Sequence, residues 1–185
     1  MVQQLSKGRQ DEIENAAVTI LEGYKGNNEE SIDVVSIAKE KGFIVGEAIL
    51  DENDDGFIIV EEGQQEILGL KTDKLIGVNA KRELEWKRFI IAHELGHFVL
   101  HYLSQNNKGL YAHRDHRKGK GKIENEADFF AANLLMPRDN FRKRYYELKE
   151  KGLSQKEIVA VLASNFVVTV KCADRRVEEL GLSNE

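Results

Sequence analysis

The chain has 185 residues, of which 41% are hydrophobic and 32% charged, and its net charge is −5. These proportions are typical of one soluble globular domain, or of one domain with a small appendage. The acidic balance argues against a general nucleic-acid or membrane-surface binder, since no global positive field is present. The single cysteine excludes an internal disulfide, the polar N-terminus excludes a signal peptide, and no apolar run of about 18 residues exists. The expected location is therefore the cytoplasm.

The first half of the chain predicts two helices followed by a small sheet. Helical spacing of apolar residues covers Lys7 to Tyr24 and then Ser31 to Lys41, with Ser31 as the expected N-cap. Four short β-rich runs follow, separated by turn residues, which predicts a mostly antiparallel sheet with hairpin turns. These runs are Phe43–Val45, Phe57–Val60, Glu66–Leu70 and Leu75–Val78.

The second half is predicted to be helical around one long loop. A central helix is expected from Ala80 to Tyr102, with Asn79 as its N-cap. The polar segment 104–122 is long for a structureless loop, and such loops tend to be functional or disordered. Four helices follow, at Ile123–Met136, Phe141–Lys149, Ser154–Leu162 and Val170–Leu180. The fold class is therefore α+β, with a domain at 1–137 and a C-terminal helical, helix-turn-helix-like segment at 138–185.

The central helix carries the sequence His93-Glu94-Leu95-Gly96-His97, a His-Glu-x-x-His motif. Residues four apart share one helix face, so His93 and His97 can bind a single zinc ion. Glu94 lies one residue round, where its carboxylate can act as the base for a metal-activated water. The alternative is a solvated helix face with two chance histidines, but the apolar flanks indicate burial, and burying these groups without partners is costly.

A catalytic zinc site needs a third protein ligand and an open position. The metzincin pattern would require a third histidine where this chain has Leu103, which excludes that pattern. The next candidate is Glu126, at the edge of an apolar stripe on the helix Ile123–Met136, whose small alanines would permit close helix packing. Glu124 and Asp128 are expected on other faces, solvated or outside the ligand set. Glu126 could instead simply stabilise the helix N-terminus.

These blocks together resemble the ImmA/IrrE family of zinc metallopeptidases. The resemblance rests on Arg88–His97 with Leu100-His101, on Glu124–Ala127 and Phe130–Pro137, and on upstream matches beginning at Ile32-Asp33. It implies that His93, His97 and Glu126 bind Zn²⁺ and that Glu94 is the catalytic base. It also implies a protein substrate, a helix-turn-helix transcriptional repressor whose cleavage derepresses mobile-element or stress-response genes. Ile32 stands where proline is frequent in the family.

The expected mechanism follows from zinc chemistry. Zinc lowers the pKa of its bound water towards about 7, and Glu94 takes the proton and later delivers it to the leaving amine. The oxyanion needs a further stabilising group, and the sequence leaves five candidates open. These are His101, Tyr102, Tyr111, His113 and His116. Other divalent ions remain possible, since such ligand sets accept several metals.

Two rival functions share the same sequence. One is a regulatory protein that keeps the zinc fold and binds a partner, a transcription factor or DNA, without cutting it; the presence of Glu94 favours the enzyme. The other is a DNA-binding regulator that uses the C-terminal helices. There, however, Lys171, Arg175 and Arg176 are balanced by three acidic residues, which favours a packed helical cap.

Overall fold

The computed structural model describes residues 5–24, 31–61, 63, 66–103, 110–116 and 121–184. Within this part of the chain, seven α-helices and a four-stranded sheet confirm the predicted α+β class. The helices are α1 (Lys7–Gly23), α2 (Val34–Glu40), α3 (Leu84–His97), α4 (Lys122–Leu135), α5 (Arg138–Glu150), α6 (Gln155–Phe166) and α7 (Val170–Glu179). The strands are β1 (Ile44–Ala48), β2 (Asp54–Glu61), β3 (Lys74–Asn79) and β4 (Leu110–His116).

The sheet has the strand order β1-β3-β2-β4, with β1 parallel to β3 and both other pairs antiparallel. Alternate residues of β2, Ile58 and Val60, point into the core, as the period of two in a strand requires. The sheet packs against α3 at Gly56, where an added Cβ would lie 2.4 Å from Cγ2 of Ile90. This contact places the buried part of α3 directly against β2.

Both predicted helix caps were wrong. Ser31 does not cap α2, because the Asp33 side chain accepts the Ser36 N–H instead. Asn79 ends β3, and its buried amide donates to the carbonyls of Asp51 and Asp54, so α3 begins only at Leu84 after the N-cap Glu83.

The run Glu66–Leu70 is not a strand but a tight turn closed by one bridge between Ile67 and Leu70. Conversely, β4 lies inside the segment predicted as a loop, of which 104–109 and 117–120 are outside the described residues. Helix α3 continues into a π-helical turn, Phe98–Tyr102, where the sequence predicts an ordinary α-helix.

One hydrophobic cluster runs through both parts of the predicted domain division. It includes Ile13 of α1 and Phe130 of α4, and continues to Phe141 of α5 and Phe166 of α6. Arg176 of α7 is 1% exposed and donates to the carbonyl of Met136, next to Pro137. The C-terminal helices therefore pack on the same core as the first 137 residues. None of the described helices has the length and apolarity to cross a lipid bilayer.

Candidate metal centre

The two histidines of the motif lie on one buried face of α3, as predicted. His93 is 3% exposed and His97 is fully buried, and their Nε2 atoms are 3.0 Å apart. This convergence follows from the spacing of four residues on a helix. Both imidazoles therefore offer a nitrogen to the same point.

The carboxylate that meets these nitrogens belongs to Glu124 and not to Glu126. Glu124 Oε2 lies 3.3 Å from His93 Nε2, and Oε1 lies 3.6 Å from His97 Nε2. One ligand atom from each of these three residues lies within 4.8 Å of the others, an arrangement that could hold a metal ion. The structure corrects the predicted position of Glu126, since its Oε2 instead contacts Arg9 and His101. Residues two apart on α4 differ by about 200° in direction, so one carboxylate faces the histidine pair and the other does not.

Small residues bring α3 and α4 close together, as the alanines of α4 predicted. A Cβ added at Gly96 would lie 3.1 Å from Cα of Ala127 and 3.1 Å from Cδ1 of Phe130. The absence of a side chain at Gly96 thus lets the two helix backbones approach. This approach carries the first turn of α4 to the histidines.

The second nitrogen of each histidine has its own partner. His93 Nδ1 lies 3.0 Å from Oδ1 of Asp128, one turn after Glu124 on α4. His97 Nδ1 lies 3.1 Å from Nδ1 of His101, in the π-helical turn. A π turn rotates less per residue than an α turn, which keeps His101 near His97. Such contacts orient imidazole ligands and fix which nitrogen faces a metal. Asp128 and His101 therefore contact the imidazole nitrogens that face away from the candidate metal position.

Glu94 is fully buried beside the histidine pair and against the sheet. An added Cβ at Gly56 of β2 would lie 3.5 Å from Glu94 Oε1, which locates the carboxylate between α3 and β2. With His97 and His113, Glu94 forms a second group whose ligand atoms lie within 4.8 Å. The predicted base therefore lies at the edge of the candidate metal site, next to its ligands.

His113 of β4 is the residue whose position the sequence least revealed. It was one of five open candidates for the oxyanion group, and its ring lies 3.9 Å from the ring of His97 and its Nε2 lies 2.9 Å from Glu124 Oε1. Tyr111 and His113 alternate with the exposed Ala112, a strand pattern too short to recognise inside a polar segment. Pairing with β2 makes this segment a strand and turns His113 inward.

The other oxyanion candidates differ in burial. His101 and Tyr102 are buried in the π-helical turn, and the His116 side chain is outside the described residues. Tyr111 is half-buried, and burial together with the charges of Glu94 and Glu124 raises the pKa of its phenol to about 12. It therefore keeps its proton at neutral pH and can act as a hydrogen-bond donor.

The surroundings of the site keep the Glu124 carboxylate ionised and give the three nearby histidines different pKa values. Burial opposes ionisation of Glu124, yet contacts with His113, His93 and His97 lower its pKa overall. Burial lowers the pKa of His97 to about 4. Burial also lowers the pKa of His93 and of His113, but the effect of nearby carboxylates is larger. The pKa of His93 is raised well above its usual value, and the pKa of His113 is raised to about 9. Deprotonated Glu124 and neutral His97 are in the states that bind a metal cation.

Comparison with known proteins places this site in a family context. The sequence model of Peptidase_M78, described as the IrrE N-terminal-like domain, matches residues 49–178. This segment contains α3, β4 and α4, and it crosses Pro137 into the C-terminal helices. A comparison with curated proteins found no matching relative.

Proposed function

Because this chain belongs to the Peptidase_M78 family of IrrE N-terminal-like domains, a family of metallopeptidases, we propose that it is a zinc-dependent endopeptidase. The observation that carries the proposal is the convergence of His93, His97 and Glu124 around one point, with the buried carboxylate of Glu94 beside them. Two imidazoles and one carboxylate are a donor set suited to zinc, and they leave a coordination position open.

We assign the three ligand roles to His93, His97 and Glu124, and the role of base to Glu94. Zinc held by these side chains would supply a Lewis acid that acidifies water and polarises a peptide carbonyl. Glu94 would take the proton from the attacking water and pass it to the leaving amine, as one positioned carboxylate can serve as base and then acid. For the oxyanion we assign stabilisation to His113 and Tyr111 of β4, since His113 contacts Glu124 and Tyr111 lies within the electrostatic influence of Glu94 and Glu124.

For the substrate we propose a protein, specifically a helix-turn-helix transcriptional repressor whose cleavage would derepress mobile-element or stress-response genes. Support for this finer assignment comes from the resemblance described in the sequence analysis. The alternative is a non-proteolytic regulator that binds a transcription factor or DNA without cutting a protein. A DNA-reading role for α7 is disfavoured, because Arg176 is 1% exposed and donates to the Asn133 side chain.

The test compares wild-type protein with Glu94→Gln, each co-expressed with candidate helix-turn-helix repressors from the same genome. We expect cleavage by the wild type, and loss of cleavage in the variant while one equivalent of zinc is retained. Retained zinc shows that the loss is chemical and not structural. If zinc-loaded wild type binds the repressor without cutting it, the non-proteolytic alternative holds.

A further inference from the structure

A line of polar contacts leads away from the candidate metal centre to the N-terminal helix. Behind His97, the His101 ring contacts His97 with Nδ1 at 3.1 Å and Glu126 Oε2 with Nε2 at 3.1 Å. The same Glu126 oxygen accepts a hydrogen bond from the Arg9 guanidinium at 2.7 Å. Four residues from α3, the π-helical turn, α4 and α1 are thereby connected.

The chemistry of these groups sets the direction of each hydrogen bond. An ionised carboxylate only accepts, so His101 must donate from Nε2 to Glu126. The guanidinium of Arg9 already neutralises the charge of the Glu126 carboxylate, so a second proton on the His101 ring is not needed for that purpose. Neutral His101 then accepts at Nδ1, and His97 donates to it from its own Nδ1. The Nε2 atom of His97 is left with a lone pair that faces His93 and Glu124.

We propose that His101, Glu126 and Arg9 are positioning residues that hold His97 in the Nδ1-protonated tautomer, with Nε2 ready to bind the metal. The proposal rests on the metal site assigned above. It gives Glu126 a role different from the predicted one, since it acts on a ligand through His101. It also makes α1 part of the metal centre, although Arg9 lies outside the segment 49–178 that the family sequence model matches.

The competing explanation is that Arg9 and Glu126 only attach α1 to α4. The chain offers a matched control for this, because a second ion pair, between Glu14 and Arg138, ties α1 to α5 and makes no contact with the histidines in the described structure. Both pairs join α1 to a later helix. Only the first continues to a candidate ligand.

The experiment measures the zinc dissociation constant by competition with a chelator, for wild type, Arg9→Gln, Glu126→Gln, His101→Phe and Arg138→Gln. Changes at groups that orient a ligand typically weaken metal binding by about 10–100-fold. We expect losses in that range for Glu126→Gln and His101→Phe, and about 3–10-fold for Arg9→Gln, with Arg9→Lys restoring part of it. Arg138→Gln should lower the melting temperature and leave the zinc constant within about twofold.

A second readout needs no metal. In the metal-free protein, two-bond ¹H–¹⁵N spectra of the histidine rings should show His97 protonated at Nδ1, and His101→Phe should shift it towards the Nε2-protonated form. Zinc constants of the Arg9 and Glu126 variants that stay within twofold of wild type, or an Nε2-protonated His97 in wild type, would overturn the proposal. Wild-type protein that binds no zinc would contradict the proposed function instead, and the tautomer would still test the positioning.

Discussion

The Nε2 atoms of His93 and His97 face each other at 3.0 Å, close enough for a hydrogen bond. In the metal-free protein the neighbouring carboxylates raise the pKa of His93 well above its usual value, so its Nε2 keeps a proton that it can donate to His97 Nε2 or to Glu124. A zinc ion would replace that proton and could bind both imidazoles and the Glu124 carboxylate at once, while each Nδ1 keeps its own neighbour, Asp128 or His101.

The first prediction is therefore that zinc stabilises the folded protein. A ligand that binds only the folded state at a thousand times its dissociation constant adds about 4 kcal/mol to the free energy of unfolding. Thermal unfolding with and without a chelator should show a melting temperature several degrees higher in zinc. An unchanged melting temperature, or an equal rise in the variant Glu124→Ala, would contradict the assigned site.

A second prediction concerns Asp128, the partner of His93 Nδ1. Asp128→Ala removes the acceptor that orients this imidazole, and we expect zinc affinity to fall by about 10–100-fold. Asp139→Ala on α5 is the control, because it removes the same charge from an exposed position. Chelator competition measures both, and equal affinities for the two variants would show that charge alone matters.

The third prediction tests the close approach of α3 and α4. Alanine is usually better than glycine inside a helix by about 1 kcal/mol. At Gly96, however, the new methyl would press on the Ala127 backbone, so we expect Gly96→Ala to lower the free energy of unfolding by about 1–3 kcal/mol. It should also weaken zinc binding, because α4 carries Glu124.

The control for that substitution is Gly8→Ala in α1, where an added Cβ meets nothing within 4 Å. This variant should unfold at an unchanged or slightly higher denaturant concentration. Urea unfolding of both proteins gives the comparison. A Gly96→Ala variant as stable as Gly8→Ala would mean that the helices can separate without loss.

The fourth prediction is a pH dependence of stability from Glu14. The hydrogen bonds from Arg138 lower the pKa of this carboxyl below its ordinary value of 4.5. The ion pair is therefore fully effective above that value and is lost as the pH falls through the lower, folded-state pKa. Glu14→Gln should be less stable than wild type by up to about 1 kcal/mol at pH 7. Urea unfolding should show this difference shrinking below about pH 4.5; a difference independent of pH would contradict it.

The parts of the fold that could be predicted from sequence are those with strong local signals. The apolar periodicity of α1, α3 and α4 was sufficient for the helices, and the motif of His93, Glu94 and His97 was sufficient for the two imidazoles that converge in the structure. The strand β4 could not be predicted, because its polar sequence forms a strand only by pairing with β2. His113 therefore stayed one of five open candidates for the oxyanion group, and its position beside His97 and Glu124 could not be predicted.

The glutamate of α4 that faces the histidine pair shows a different limit of prediction from sequence. On α4, Glu124 and Glu126 lie on opposite flanks of the apolar stripe formed by Ala127, Phe130 and Leu134, so the amphipathic pattern cannot choose between them. The choice depends on which flank faces α3, a tertiary relationship set by the contact of Gly96 with Ala127. The resemblance to the family is confirmed by the matching sequence model, while the structure places Glu124, and not the predicted Glu126, against the histidine pair.

The most direct test of the account is the zinc content of purified Glu124→Ala and Glu126→Ala, measured at saturating zinc after removal of excess metal. The proposed ligand set predicts that Glu126→Ala keeps about one equivalent, bound more weakly, and that Glu124→Ala loses stoichiometric zinc because one of the three proposed ligands is gone. Full zinc in Glu124→Ala together with none in Glu126→Ala would contradict it and make Glu126 the ligand.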